Sequence, residues 1–195
     1  MSGTYPTSPE FSAINFKSIH KSVSSESRSG RLQVRDIGYQ RWSFTAKYKS
    51  LTRAEAQPIY AFIEKQRGML ETFTIVLPLI SYASGNAAGT CRVNGAHTAG
   101  DTTINIDGIG GTLKAGDFVK FGSHSKIYMV VADRAGNGLL TIEPPLIKDV
   151  TNNQLVTYDA VPFNVRMSKD IQQFKAKGGD QYSIEIDMLE EIANA

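Results

Sequence analysis

The sequence predicts a mainly β (α+β) fold, a β-sandwich host domain with one helix that carries an inserted small all-β barrel or sandwich module. Three observations lead there. Long segments near both ends alternate apolar and polar residues, as at Tyr39–Tyr48 and Tyr182–Glu190, which is the period of a half-buried strand. One segment, about 52–67, has helical spacing. Between Ser81 and Leu113 the only charges are Arg92, Asp101 and Asp107, and short apolar pieces are separated by glycine-rich turns, the pattern of a small separate β unit.

Phe11 to Ile19 reads as a strand or extended arm with one slip in phase. Ser22 to Gly30 is too polar to anchor a core and reads as a loop or edge hairpin. Leu32, Val34 and Ile37 begin a second apolar segment. It leads into Tyr39–Tyr48, where Trp42, Phe44, Ala46 and Tyr48 share one strand face. In the helical segment Thr52 and Glu55 fit a capping box, and Leu51, Ile59, Phe62 and Ile63 form one stripe. Pro58 leaves two options, a kink inside the helix or a helix that starts at the proline. Glu71 to Pro78 is β-branched and aromatic, a buried strand.

Short strands are expected around Thr102–Ile106, Phe118–Phe121, Lys126–Val131 and Leu139–Ile142, with turns at Gly122-Ser123-His124-Ser125 and Gly136-Asn137-Gly138. Phe163–Met167 and Tyr182–Glu190 return to longer strands, with a hairpin signal at Gly178-Gly179-Asp180. The simplest organisation is a host made of residues 1–80 plus 160–195, interrupted by an all-β module at 81–159. Such insertions are cheap because loop-closure entropy grows slowly with length.

Charge and composition exclude several function classes. The chain has 195 residues, 21 Lys and Arg against 19 Asp and Glu, and a formal net charge of +2. No basic run marks sequence-specific nucleic-acid binding. A single cysteine, Cys91, permits no internal disulfide and fits assembly in a reducing cytoplasm. The longest apolar run, Ile75 to Ile80, is far shorter than the roughly 20 residues that span a bilayer, and the N-terminus lacks the pattern of a secretory signal. No membrane insertion is expected.

Candidate chemistry is sparse. His20, His97 and His124 lie in polar or turn-like contexts and read as surface histidines. Cys91 reads as a buried inert thiol. Asp101, Asp107, Asp117 and Asp133 sit beside turn residues, where a carboxylate bonds its own backbone. Gly108-Ile109-Gly110-Gly111 and Gly136-Asn137-Gly138 lack the Lys-Ser/Thr and helix of a phosphate loop and read as β-turns. Glu185, Asp187, Glu190 and Glu191 read as a solvated face rather than a glycosidase pair. No catalytic, cofactor or metal residue is therefore assigned, and no enzyme is expected.

Several segments together resemble a known family: Ser29-Gly30-Arg31 with Arg41-Trp42, Leu51-Thr52-Arg53-Ala54-Glu55, Phe62 through Gly68, and Phe73 to Pro78. With them come Val93-Asn94-Gly95-Ala96, Leu113 through Phe118, and Ile142 through Leu146. In this order, over about half the chain, the pattern resembles tailed-bacteriophage minor tail proteins of the distal-tail type. The resemblance implies a virion component assembled in the host cytoplasm. It would be a ring homo-oligomer, commonly hexameric, that joins the tail tube to the hub, baseplate or fibres. The arm from Phe11 to Ser29 is then a candidate intersubunit contact, or pairs only within its own sheet. Arg28, Arg31, Arg35 and Arg41 are candidates to line a channel, or are solvated surface groups. The alternatives are a carbohydrate- or receptor-binding module of a virion, or another phage ring protein of the neck, tail terminator or baseplate hub.

Overall fold

A computed structural model of the chain describes residues 3–122, 124–178 and 180–192. Ser123 and Gly179, within two of the expected turns, lie outside the described residues. Strand accounts for 45% of the chain and helix for 7%, so the fold is mainly β.

The first elements are β1 (Ala13–Glu26), β2 (Leu32–Lys47), the helix α1 (Arg53–Lys65) and β3 (Phe73–Ile75). Then come β4 (Arg92–Val93), β5 (Thr103–Asp107), β6 (Thr112–Leu113), β7 (Phe118–Phe121), β8 (Tyr128–Val130), β9 (Arg134–Ala135), β10 (Gly138–Glu143) and β11 (Val156–Thr157). The chain closes with β12 (Phe163–Met167), β13 (Phe174–Lys177) and β14 (Gln181–Glu190).

The first sheet has the order β1-β2-β14-β12-β3, with β13 also paired to β14. Residues 3–5 extend it beyond β3, where the Tyr5 N–H donates to the Thr74 carbonyl at 2.8 Å. The second sheet, β11-β7-β8-β10-β5-β4, is nearly closed into a barrel. Across the remaining gap Val93 N–H donates to the Gln154 carbonyl and Val156 N–H to the Cys91 carbonyl, both at 2.9 Å. A small pair, β6-β9, completes the strands. Every strand of the first sheet comes from residues 13–75 or 163–190, and every strand of the other two from 92–157.

Alternation explains the first core. Trp42, Phe44, Ala46 and Tyr48 are buried from β2 onward, and Ile184, Ile186 and Met188 are buried from β14. The helix covers this face with Ala56, Ile59 and Ile63. It runs through Pro58 from Arg53, so the proline neither opens nor ends it. The Glu55 carboxylate accepts the Thr52 backbone N–H and hydroxyl, both at 2.9 Å, which holds this carboxyl below its usual range. The expected strand over Glu71–Pro78 shortens to three residues, although Leu77 remains buried. The Ser-rich stretch is an edge hairpin in which β1 stays extended to Glu26 and the turn occupies 27–31.

The barrel has its own core of Val93, Ile104, Ile106, Val119, Phe121, Tyr128, Leu140 and Ile142, among others. Phe118 and Ile127, flanking that core in sequence, instead belong to the first cluster. Phe118 packs edge-on against Trp42 at 5.3 Å and Phe163 at 5.5 Å. Alternation along β7 thus sends one aromatic, Phe121, inward and another, Phe118, against the first sheet.

The glycine groups serve backbone approach as well as turning. Segments 85–90 and 108–112 lie against each other, with Ala88 and Gly110 exchanging backbone hydrogen bonds at 2.9 and 2.7 Å. A Cβ on Gly111, at φ +73°, would lie 2.1 Å from the Asn86 carbonyl oxygen. Gly111→Ala therefore combines a left-handed backbone with a backbone clash and should cost about 2 kcal/mol or more in urea unfolding. Gly178→Ala, with open space around it, should change stability by less than about 0.5 kcal/mol.

Candidate functional site

The residues singled out in sequence do not gather into one site. His20 is exposed midway along the β1–β2 hairpin, beside its bulge, and with Asp36, Tyr39 and Gln40 it lines a cleft of about 370 Å³ against residues 143–147. His97 is half-buried, its Nε2 accepting the Asn105 N–H at 3.0 Å. Cys91 is buried, and desolvation pushes its thiol up to about 12. Asp101 accepts the Thr98 N–H at 3.0 Å, a local bond, whereas Asp133, expected to bond its own turn, instead accepts the Ala115 N–H at 2.9 Å and the Lys114 ammonium at 2.7 Å, 18 and 19 residues away. Among the described residues no three His, Cys, Asp or Glu side chains assemble a metal site.

Three further expectations need correction. Asp117 is more than a turn aspartate. It is buried, and besides the Lys114 N–H it accepts the backbone N–H and hydroxyl of Ser84 at 2.8 and 2.7 Å, tying down the chain as it enters the barrel.

His124 is buried rather than on the surface. Its Nε2 lies 3.2 Å from the Asp149 carbonyl and its Nδ1 3.4 Å from the Tyr128 hydroxyl. Because a carbonyl only accepts, Nε2 carries the proton and Nδ1 accepts from Tyr128, the neutral tautomer. Burial, followed by the nearby Lys148 and Lys120, pushes its pKa down, against the raising effect of the Asp149 bond.

Glu190 is not part of a solvated face. Glu185 and Asp187 do face solvent, pairing with Lys47 at 3.1 Å and Lys169 at 2.8 Å. Glu190, however, shares the even-numbered face of β14 with Ile184, Ile186 and Met188. Its side chain is 0% exposed and lies 2.6 Å from the equally buried Lys126 ammonium. The carboxylate also accepts the Trp42 N–H at 3.1 Å and the Ile127 N–H at 2.9 Å, while Lys126 donates to Gln40 Oε1 at 2.6 Å. The indole N–H of Trp42 donates to the Ile127 carbonyl at 2.9 Å. Desolvation pushes Glu190 up and Lys126 down, and their mutual attraction and hydrogen bonds oppose both shifts. This network joins β2 and β14 to the segment entering β8. The Lys126 ammonium, held by Gln40 and Glu190, also lies 5.3 Å from the Trp42 ring centre, so the network ties these elements together through side chains of the protein itself. The signal was present in sequence as the even parity of 184, 186, 188 and 190.

What remains open to a partner is the distal part of the β1–β2 hairpin. Every residue from 17 to 39 is exposed, so the ribbon projects with both faces in water. Ile19, Val23, Leu32, Val34, Ile37 and Tyr39 are each more than 40% exposed. An isolated two-stranded ribbon is marginally stable in water, and β1 is an edge strand with unpaired backbone groups. The arm does pair within its own sheet, from Ala13↔Lys47 to Glu26↔Leu32. Among the described residues no strand pairs with its outer edge, and its distal residues are exposed on both faces. A register shift between His20 and Ser22 marks a bulge opposite Ile37, Gly38 and Tyr39, with Asp36 accepting the Gly38 N–H at 2.9 Å.

No protein-family model matches the chain, and no curated protein sequence matches it.

Two outcomes follow from the buried groups. Lys126→Met leaves Glu190 charged and unpaired in the core and should cost about 3–5 kcal/mol in urea unfolding. Lys126→Met combined with Glu190→Gln should recover at least half of that loss; a double variant no more stable than the single would show that packing, not charge, is at stake. The depressed His124 pKa means that below about 6.5 the unfolded chain takes up a proton that the folded chain refuses. Stability should therefore fall as pH drops from 7.5 toward 5, and His124→Gln should flatten the unfolding midpoint over that window.

Proposed function

We propose that this chain is a non-enzymatic structural subunit of a bacteriophage tail. In this reading it is a distal-tail protein that forms a ring with copies of itself and joins the tail tube to the hub, baseplate or fibres. The observation that carries it is the projecting ribbon, whose exposed apolar side chains and free strand edge suit burial against another chain. The ordered sequence motifs from Ser29-Gly30-Arg31 to Phe73–Pro78 supply the family.

A closed ring needs a heterologous contact, one surface of each copy meeting a different surface of the next. A ribbon that leaves its own body serves this well. Its unpaired edge offers main-chain hydrogen bonds, and Leu32 and Val34, on one face with Ser24 and Glu26 by register, offer apolar anchors. The low net charge of +2 limits repulsion between like copies.

Sedimentation velocity at high micromolar concentration should show a discrete closed oligomer. Leu32→Ser/Val34→Ser should reduce it to monomer while changing unfolding free energy by less than about 0.5 kcal/mol, because both groups are exposed in the single chain. A wild-type chain that stays monomeric and does not associate with tail-tube or hub proteins would overturn the reading.

A further inference from the structure

The ribbon segregates its charges. Residues 17–41 hold six Lys and Arg (Lys17, Lys21, Arg28, Arg31, Arg35 and Arg41) against Glu26 and Asp36. The segment is thus at +4 while the rest of the chain is at −2. Register assigns the two acids to one face, since Asp36 is opposite Ser22 and Glu26 opposite Leu32. The other face holds Arg35 on β2, opposite Val23, and Lys21, which alternation along β1 places on the same side as Val23. Tyr39 lies between two cations on that side, with the Lys21 ammonium 5.8 Å and the Arg41 guanidinium 5.7 Å from its ring centre. Among the described residues none of the ribbon's six cations makes an ion pair.

We propose that this face of the β1–β2 ribbon binds the phosphate backbone of double-stranded DNA without sequence preference. Unpaired cations gain most from a polyanion, because each phosphate they neutralise releases condensed counterions. A two-stranded ribbon also has the shape that the ~12 Å-wide major groove admits. Tyr39 holds the two flanking cations over one aromatic surface and adds no negative charge. The acids sit on the opposite face with Leu32 and Val34, so DNA contact and subunit contact use different sides. The inference goes beyond the ring reading and does not require it, since a single chain presents the whole face.

The test is fluorescence anisotropy of a labelled mixed-sequence DNA duplex titrated with the full chain across a salt series, with oligomeric state measured separately. Binding should be detectable at low salt and weaken steeply as salt rises. Lys21→Gln/Arg35→Gln should weaken it and lower the slope of log K against log salt by about 2, one for each lost phosphate contact. Lys49→Gln/Lys148→Gln removes the same charge elsewhere and should leave the slope unchanged. Circular dichroism of each variant checks that the fold is intact. Absence of binding at low salt, an equal loss in the two double variants, or tighter binding to polyglutamate than to the duplex would each overturn the proposal. DNA binding by a chain that proves monomeric would leave it standing while removing the ring.

Discussion

The arrangement of sheet and barrel depends on one fully buried ion pair, Lys126 with Glu190. Removing two charges from water costs several kcal/mol per ion, and attraction offsets this only when the remaining hydrogen-bonding capacity is also met. Here Gln40 and the backbone N–H groups of Trp42 and Ile127 meet it. The pair is satisfied only when β2, β14 and the strand entering β8 occupy one relative position. Apolar packing around it is less directional. Phe16, Trp42, Phe118 and Phe163 lie with ring centres about 5 to 6 Å apart, and such contacts tolerate sliding that a pair of 2.6 Å charge contacts does not.

The two ends of the β1–β2 hairpin differ for a related reason. Its inner half contributes Phe16, Trp42 and Phe44 to the aromatic cluster and is fixed by it. Beyond the bulge at 37–39 every residue of the ribbon is exposed. In the distal half Leu32 and Val34 share one face with both acids, while Val23 shares the other with Arg35, so exposed apolar groups lie on both faces and the charges differ between them. That combination distinguishes it from an ordinary surface loop and supports the proposals of assembly and DNA contact at this segment. Elsewhere several acidic groups are paired on the surface, among them Glu185 with Lys47 and Asp187 with Lys169.

Much of the fold was legible because it follows from local periodicity. Alternation at 39–48 and 182–190 marked the strands that meet in the first sheet, and Phe118–Phe121 and Phe163–Met167 have the bounds the pattern implies. The helix showed itself through Thr52, Glu55 and one apolar stripe. Errors arose where a residue's state depends on something distant in sequence. Glu190 looked solvated because acidic residues usually are, although strand parity already assigned it to the core face. His124 looked exposed because it follows a turn glycine, yet Tyr128 and the Asp149 carbonyl enclose it. For the polar stretch 22–30 the sequence left loop and edge hairpin open, because polarity does not distinguish a loop from a strand whose faces are both wet, and register makes it the hairpin.

By itself the sequence determined the mainly β character and the single helix, both consequences of side-chain type and spacing along one chain. Tertiary structure alone decided that Lys126 meets Glu190 across 64 residues, that Phe118 turns from the barrel toward the sheet, and that the Ser-rich arm projects as a ribbon with its charges sorted by face. The physical reason is that burial and register belong to the assembled surfaces. A lysine carries the same charge in every sequence, and only the folded chain settles whether water, a carboxylate or nothing at all stands opposite it.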